Sequence, residues 1–405
     1  MRHLRMPSLL TTVFLVATTT SGGAAQDRPT LTPADYGQWE SLGGATLSPD
    51  GRWLAYGIRQ VNEETELRIR PLNRDTTSVV LWGSSPAFSA NSRWLAWTAG
   101  ISVEERERLE EQQEQVRLGV GLRDLANGSD RDFAATSAFG FDASGEFLVL
   151  HGYAPEAPKG KGGDLRVLGL ATGTEVTFGN VVEYAWSEVG SQLALALATG
   201  SDAGNGVQVY DAVSGRLRSL DASSSSYSQL AWSEGSFDLA VLRSVKAASE
   251  DGTEYQLLAW RRLDGAVQRF ELYPAATGIA DTLEVVRHRQ PEWSDDGRLS
   301  FGLRPKQPDD EAEKDSIAAT DSTAAPDSAG AAKQDDDVEL PGVQIWHSSD
   351  VRTIPMQRAS AGRDAQRTLL AVWDPDRNGV VQIATGLFVP RHLTAICTDV
   401  LRDIV

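Results

Sequence analysis

The chain has one cysteine in 405 residues, Cys397, so it can form no internal disulfide and no cysteine-built metal cluster. Histidine is scarce too. His3, His151, His288, His347 and His392 are the full set, and none lies in a context that suggests a catalytic base. Positive charge is the minority sign, with 38 Lys and Arg against 56 Asp and Glu and a formal net charge of −18. The basic residues are not clustered, which argues against a nucleic-acid partner. After the first 25 residues no stretch approaches the roughly 18 apolar residues of a spanning helix, so no membrane association is expected once that leader is removed. The leader itself reads as an export signal. Arg2 and Arg5 precede a short apolar core, Leu9 to Ala17, and Gly23-Ala24-Ala25 offers small residues for cleavage.

What the sequence has is a repeat. Leu47-Ser48-Pro49-Asp50-Gly51-Arg52-Trp53-Leu54-Ala55-Tyr56 returns in altered form at Phe88, Phe141, Trp186, Trp232 and, one residue shorter, at Trp293. A spacing of roughly 40–50 residues between short strand signals, stretched at the second and last steps, is that of propeller blades. Each copy opens on a large apolar residue, expected to end a strand buried between blades. A polar turn follows, with Gly51, Gly145, Gly190 and Gly297 where a positive φ costs least. An apolar run then re-enters the core, as in Trp53-Leu54-Ala55, Trp94-Leu95-Ala96 and Phe147-Leu148-Val149. A second hairpin completes each unit, closed by Asn127-Gly128, Thr172-Gly173, Ser214-Gly215 or Asp264-Gly265. Two hairpins make a four-stranded blade. The expected fold is therefore all-β, a β-propeller of four-stranded blades. Six are recognisable, as part of a seven- or eight-bladed ring.

Three stretches interrupt the pattern. Val103 to Val116 is rich in Glu, Gln and Arg, with Glu104 and Arg108 at i,i+4 spacing, and predicts a solvated helix projecting from blade two. Residues 304–340 are rich in Asp, Ala, Ser and Pro and predict a disordered acidic insert in blade six. Asp374-Pro375-Asp376-Arg377-Asn378-Gly379 matches the first half of a calcium loop, but Thr385 stands where the loop needs a bidentate Glu, so a hairpin turn is expected. No metal or cofactor is expected. The Ser223 to Ser226 run reads as a flexible turn, with nothing nearby to activate a nucleophile. The chain divides into a signal peptide (1–25), a lead-in segment (26–44), the propeller (45–385) and an irregular tail (386–405) without a further blade motif, expected to be truncated.

Two segments carry a family resemblance. Asp35-Tyr36-Gly37-Gln38-Trp39-Glu40-Ser41-Leu42, running into the first repeat as far as Tyr56, resembles the opening of exported bacterial peptidases of the prolyl oligopeptidase (S9) family. Val343-Gln344-Ile345-Trp346-His347, continuing to Gln357, resembles the segment that such proteins place after an acidic, variable loop. The resemblance implies a propeller set over a C-terminal α/β-hydrolase domain with a Ser, Asp, His triad, the propeller admitting short peptides and excluding folded proteins. The nucleophile elbow of that domain, Gly-x-Ser-x-Gly, occurs nowhere in these 405 residues, so no catalytic residue is assigned. In some relatives, glutamates on a propeller insertion hold the free amino terminus of the peptide, which singles out Glu104 and Glu105. The expected function is the substrate-gating propeller of a secreted or periplasmic serine peptidase, not catalytic in this chain, with peptide substrates reached through a hydrolase domain absent here. The alternative is a free-standing exported propeller that acts as a protein- or ligand-binding scaffold, like the TolB-type periplasmic modules. The repeat alone fits both.

Overall fold

The computed structural model describes residues 32, 39–158, 160–201, 204–246, 253–273, 277–306 and 352–384. The signal peptide, most of the lead-in segment, the acidic insert from residue 307, His347, His392 and Cys397 lie outside them.

Four-stranded antiparallel sheets follow one another along the chain. Blade one is β1 (Glu40–Leu47), β2 (Trp53–Gln60), β3 (Thr65–Pro71) and β4 (Ser78–Leu81). Blade two is β5 (Gly83–Phe88), β6 (Trp94–Ala99), β7 (Gly119–Asp124) and β8 (Ser129–Phe133), with helix α1 (Val103–Glu111) between β6 and β7. Blade three is β9 (Thr136–Phe141), β10 (Phe147–Gly152), β11 (Gly163–Gly169) and the first part of β12 (Glu175–Trp186). The rest of β12 opens blade four, followed by β13 (Gln192–Leu197), β14 (Asn205–Asp211) and β15 (Arg216–Ser223). Blade five is β16 (Tyr227–Trp232), β17 (Leu239–Lys246), β18 (Thr253–Arg261) and β19 (Gln268–Glu271). In blade six the inner strand is split into β20 (Leu283–Val286) and β21 (Glu292–Trp293), both paired with β22 (Leu299–Pro305). Helix α2 (Ile354–Ala365), β23 (Leu369–Asp374) and β24 (Gly379–Gln382) complete it.

The blades stack through alternation along their second strands. In blade two Leu95 and Trp97 join a core with Ala55, Leu67 and Ile69 of blade one, while Trp94 and Ala96 join one with Leu148 and Leu150 of blade three. Leu193 and Leu195 of blade four turn back to Val149 of blade three, and Ala194 and Ala196 turn forward to Leu239 and Val241 of blade five. Ala240 and Leu242 then meet Leu299, Phe301 and Leu303 of blade six. Period-two alternation thus sends a large side chain back and mostly a small one forward. Five cores between six blades result, and no blade buries its apolar faces without its neighbours. Covering one leucine is worth about 1.5–3 kcal/mol. This is a β-propeller.

The repeat motif forms the turn between first and second strands, and the residue after the large apolar one is its hub. The backbone N–H of Ser48, Ser89, Asp142, Ser187 and Ser233 donates to the carbonyl five residues on, and that of Ser294 to the carbonyl four on, matching the shorter sixth copy. The hub side chain accepts from the backbone as well: Trp53 N–H to Ser48 Oγ at 3.0 Å, Trp94 N–H to Ser89 Oγ at 2.9 Å, Phe147 N–H to Asp142 Oδ1 at 2.8 Å. Gly51, Gly145, Gly190, Gly235 and Gly297 take positive φ in this turn, and Ser92 takes φ +58 in the second copy.

Five expectations are corrected. Leu47 is not buried between blades but 56% exposed, because among the described residues no blade packs behind blade one. Strand β1 starts at Glu40, ahead of the expected start at residue 45, and β22 runs through Pro305, past the expected start of the insert at residue 304. Helix α1 stops at Glu111 rather than at residue 116, because Gln113 adopts φ +56. Within it Arg108 clasps Glu105 rather than Glu104, donating from Nε and Nη2 to the two carboxylate oxygens at 2.8 and 2.7 Å.

Candidate functional site

Antiparallel pairing puts the turn from first to second strand and the turn from third to fourth strand at one end of every blade. At that end the connections are short and alike: 48–52, 89–93, 142–146, 187–191, 233–238 and 294–298 for the first turn, and tight hairpins such as 125–128 and 212–215 for the other. The opposite end carries the connections from second to third strand, and those vary widely: 61–64, 100–118, 153–162, 198–204, 247–252 and 306–368. The described connections of this kind therefore leave and re-enter their blades at the same end, where a loop can recognise a ligand without disturbing strand register.

The channel wall at that end is built from the inner strands, and their bulges lock neighbouring blades together. The N–H groups of Gln229 and Leu230, in the bulge of β16, both donate to the Glu183 carboxylate of blade four at 2.7 Å. Burial pushes the Glu183 pKa up, and these two donors pull against it. Gln229 Nε2 in turn donates to the Arg287 carbonyl of blade six, and Gln290 Nε2 donates back to the Leu230 carbonyl at 3.4 Å. Indole groups add a second set of links. Nε1 of Trp186, Trp232 and Trp293 donates to the carbonyls of Gly140, Ala185 and Ala231 at 3.2, 2.9 and 3.1 Å. Each acceptor is the residue just before the motif of the preceding blade.

Between blades one and two the wall opens into a groove of about 440 Å³, lined by Gly43, Gly44, Gly57, Thr65, Ser84 and Pro86 among others. It exists because side chains are missing there. The β1 bulge at Gly43-Gly44 faces Gly57 of β2, whose place in blade three is taken by His151. Leu67 and Trp97 pack beneath Gly83. Ser84 and Ser85 are exposed at the rim, and Ser85 holds φ +50 in the β5 bulge. Arg68 bridges Glu66 at 3.1 Å and Glu40 at 2.5 Å beside it, and the Glu40 hydrogen bonds raise its pKa further. Helix α1 stands at the same end. Ser102 Oγ caps it by accepting from Glu105 N–H at 3.1 Å, and Val103 N–H points at Glu64 Oε1 of blade one at 3.4 Å. The volume falls in the range of small-ligand sites, about 300–1,000 Å³. An apolar floor beside an unpaired strand edge suits an extended peptide more than a compact polar metabolite.

The residues singled out from sequence fall as follows. Glu104 is exposed in the first turn of α1, while Glu105 is engaged by Arg108, which holds its carboxyl below the usual range. His151 shares a hydrogen bond with the Val181 carbonyl at 2.9 Å and meets Tyr184 edge-on, a packing role. Burial, then Arg304 and Arg287, depress the His288 pKa. Asp374 accepts from Asp376 and Arg377 N–H, and Asp376 pairs with Arg261, so Asp374–Gly379 is a hairpin turn. Ser223 to Ser226 form the crossover into blade five, with Ser223 bonded to Tyr227. Among the described residues no group of three His, Cys, Asp or Glu is disposed to hold a metal, and no helix is long and apolar enough to cross a membrane. Sequence reasoning missed Glu183 and the groove glycines, since one Glu or Gly within a strand carries no pattern.

No family model and no curated protein matches the chain. Solved structures do. The β-propeller domain of the trilobed protease from Pyrococcus furiosus aligns at 12% identity and TM-score 0.36, covering 67% of this chain and 79% of that one. Tricorn protease aligns at 12% identity and TM-score 0.39, over 85% of this chain and 31% of that one. A putative TolB from Agrobacterium tumefaciens aligns at 13% identity and TM-score 0.29, over 58% and 82%. The match to an acylaminoacyl peptidase from Pyrococcus horikoshii spans 43% of that enzyme's length. At these distances the likenesses assign neither family nor activity.

Proposed function

We propose that this propeller is the substrate-gating part of an exported, secreted or periplasmic serine peptidase of the S9 type, and that it admits short peptides at its loop-bearing end. The observation that carries the reading is the gathering of the described connections from second to third strand and the 440 Å³ groove at one end of the channel. The opening segment up to Tyr56 and the stretch from Val343 to Gln357 support it by resemblance. The chain itself holds no nucleophile elbow, so it binds and does not cleave.

Fluorescence anisotropy with a panel of labelled tetra- to hexapeptides tests this. Peptides should bind the purified chain, and Gly57→Leu, which puts a side chain into the groove, should weaken binding about tenfold or more while the unfolding midpoint stays close to that of the parent. Absence of binding across the panel, or equal binding of peptides and folded proteins, would remove gating from consideration. The lack of any Gly-x-Ser-x-Gly pentapeptide favours a second reading, a TolB-like binding scaffold, and equal binding of folded partners is the result it expects.

A further inference from the structure

At two junctions the side chain three residues before the large residue of the repeat motif reaches forward to the next blade. Glu183, three before Trp186, accepts from the N–H groups of Gln229 and Leu230 in the β16 bulge, both at 2.7 Å. Gln229, three before Trp232, donates from Nε2 to the Arg287 carbonyl. In blade one the same place is Gly44, three before Leu47, which has no side chain to send. The receiving bulge is nevertheless built. Ser84 pairs with Thr98 and Ala87 with Ala96, leaving Ser85 and Pro86 between them, just as Gln229 and Leu230 are left between Ser228 and Ala231. Ser85 stands where Gln229 stands, three before Phe88, and holds φ +50 against +60. The same bend at the same register turns the Ser85 N–H toward blade one, whereas Pro86 has none to give.

The groove of about 440 Å³ includes this emptied position, since Gly44 lines it on the side of blade one and Ser84, Ser85 and Pro86 line it on the side of blade two. A Cβ on Gly44 would meet nothing within 4 Å. Positive charge is at hand. Arg59 lines the groove, and its contact with Glu63 is long, at 3.9 Å, with the two side chains 64% and 62% exposed. An exposed pair of that kind holds its partners weakly. The acid on the lining, Glu66, is already engaged. Its Oε1 accepts from Gln60 Nε2 at 3.1 Å, and its Oε2 accepts from Arg68 Nε and Nη2 at 3.2 and 3.1 Å.

We infer that the groove receives a carboxylate of its ligand, in the place that the Glu183 carboxylate fills between blades four and five. The Ser85 N–H donates to it, and the Arg59 guanidinium supplies the counter-charge where Pro86 withholds a second N–H. A peptide offers such a group at its C terminus or on an Asp or Glu side chain. The inference rests on the reading of the groove as the peptide site, and adds the group that the peptide has to carry.

The test is fluorescence anisotropy of the full chain with three labelled pentapeptides: a free acid without acidic side chains, its C-terminal amide, and that amide with one Asp introduced. The free acid or the Asp-bearing amide should bind at least about tenfold more tightly than the plain amide, and whichever does so identifies the source of the carboxylate. Arg59→Met, a change at an exposed side chain, should narrow that ratio several-fold. Gly44→Glu tests the position without any peptide, because it supplies a carboxylate from the protein as Glu183 does. It should abolish peptide binding and unfold on the order of 1 °C or more above Gly44→Gln. Equal binding of all three peptides, with Gly44→Glu no more stable than Gly44→Gln, would overturn the inference and leave peptide gating standing. If no peptide binds, gating falls, and the comparison of Gly44→Glu with Gly44→Gln decides the position by itself: a gain upholds it and no gain overturns it. Should neither Gly44 variant fold, an acid-to-amide ratio unchanged by Arg59→Met overturns the inference and a narrowed ratio supports it.

Discussion

The interfaces joining blades three to six differ in kind from those joining blades one to three. In the later set each junction carries an indole N–H from Trp186, Trp232 or Trp293, donated to the strand of the preceding blade. In the earlier set the same motif position holds Phe141, Phe88 and Leu47, which have no N–H to give. Those junctions rely instead on turn residues at the short-connection end. Ser92 Oγ accepts from Asp50 N–H at 3.0 Å, and Asn91 Nδ2 donates to the Gly145 carbonyl at 2.8 Å. Blade one goes furthest, with Leu42, Leu47, Val79 and Leu81 all half or more exposed. The polar half of a tryptophan is useful only where a carbonyl stands opposite it, and Leu47, with no described blade packed behind it, has none to meet.

The contrast can be broken most severely in the early half. A Cβ on Gly121 would sit 2.2 Å from the Trp97 ring, and Trp97 is the main plate between blades one and two. Gly121→Val should cost about 3 kcal/mol, read from the urea midpoint. In the later half, Glu183→Gln leaves one of the two bulge N–H groups facing an amide donor and should cost about 1–2 kcal/mol near neutral pH. Its pH signature is specific. The folded-state pKa of Glu183 is raised by burial, so its contribution is complete below the ordinary value of 4.5 and is lost as pH rises through the raised one. The difference in stability between parent and variant should therefore grow on acidification. Trp232→Phe strips one indole link and should cost about 1 kcal/mol, whereas Phe141→Trp should add about 0.5 kcal/mol by meeting the carbonyl before Phe88. If the two changes leave stability equally unmoved, the indole links are decorative. Smallest of all, Leu47→Gln should shift stability by under about 0.5 kcal/mol and reduce self-association in light scattering.

Much of this architecture was legible because a repeat writes the same physics six times. Period-two alternation gave the blades, and dipeptides such as Asn127-Gly128 gave the hairpins. The hub role of Ser48 and Asp142 was hidden because a polar residue in a turn looks like solvated surface until its backbone partners are known. Helix α2 escaped notice for another reason: Ile354–Ala365 has a weak apolar stripe and a proline in its first turn, which reads equally as loop. The groove was illegible because it is made of absent side chains.

The single strand β12 serves two blades at once, pairing with β11 through Val181 and with β13 from Val181 onward. Blades three and four are thereby one seven-stranded plate rather than two leaves. Mechanically this makes them a stiff third of the six blades described. Any breathing of this plate against its neighbours has to be taken up at the seams on either side, at the crossover where Ala135 holds φ +50 or across the serine-lined step into blade five.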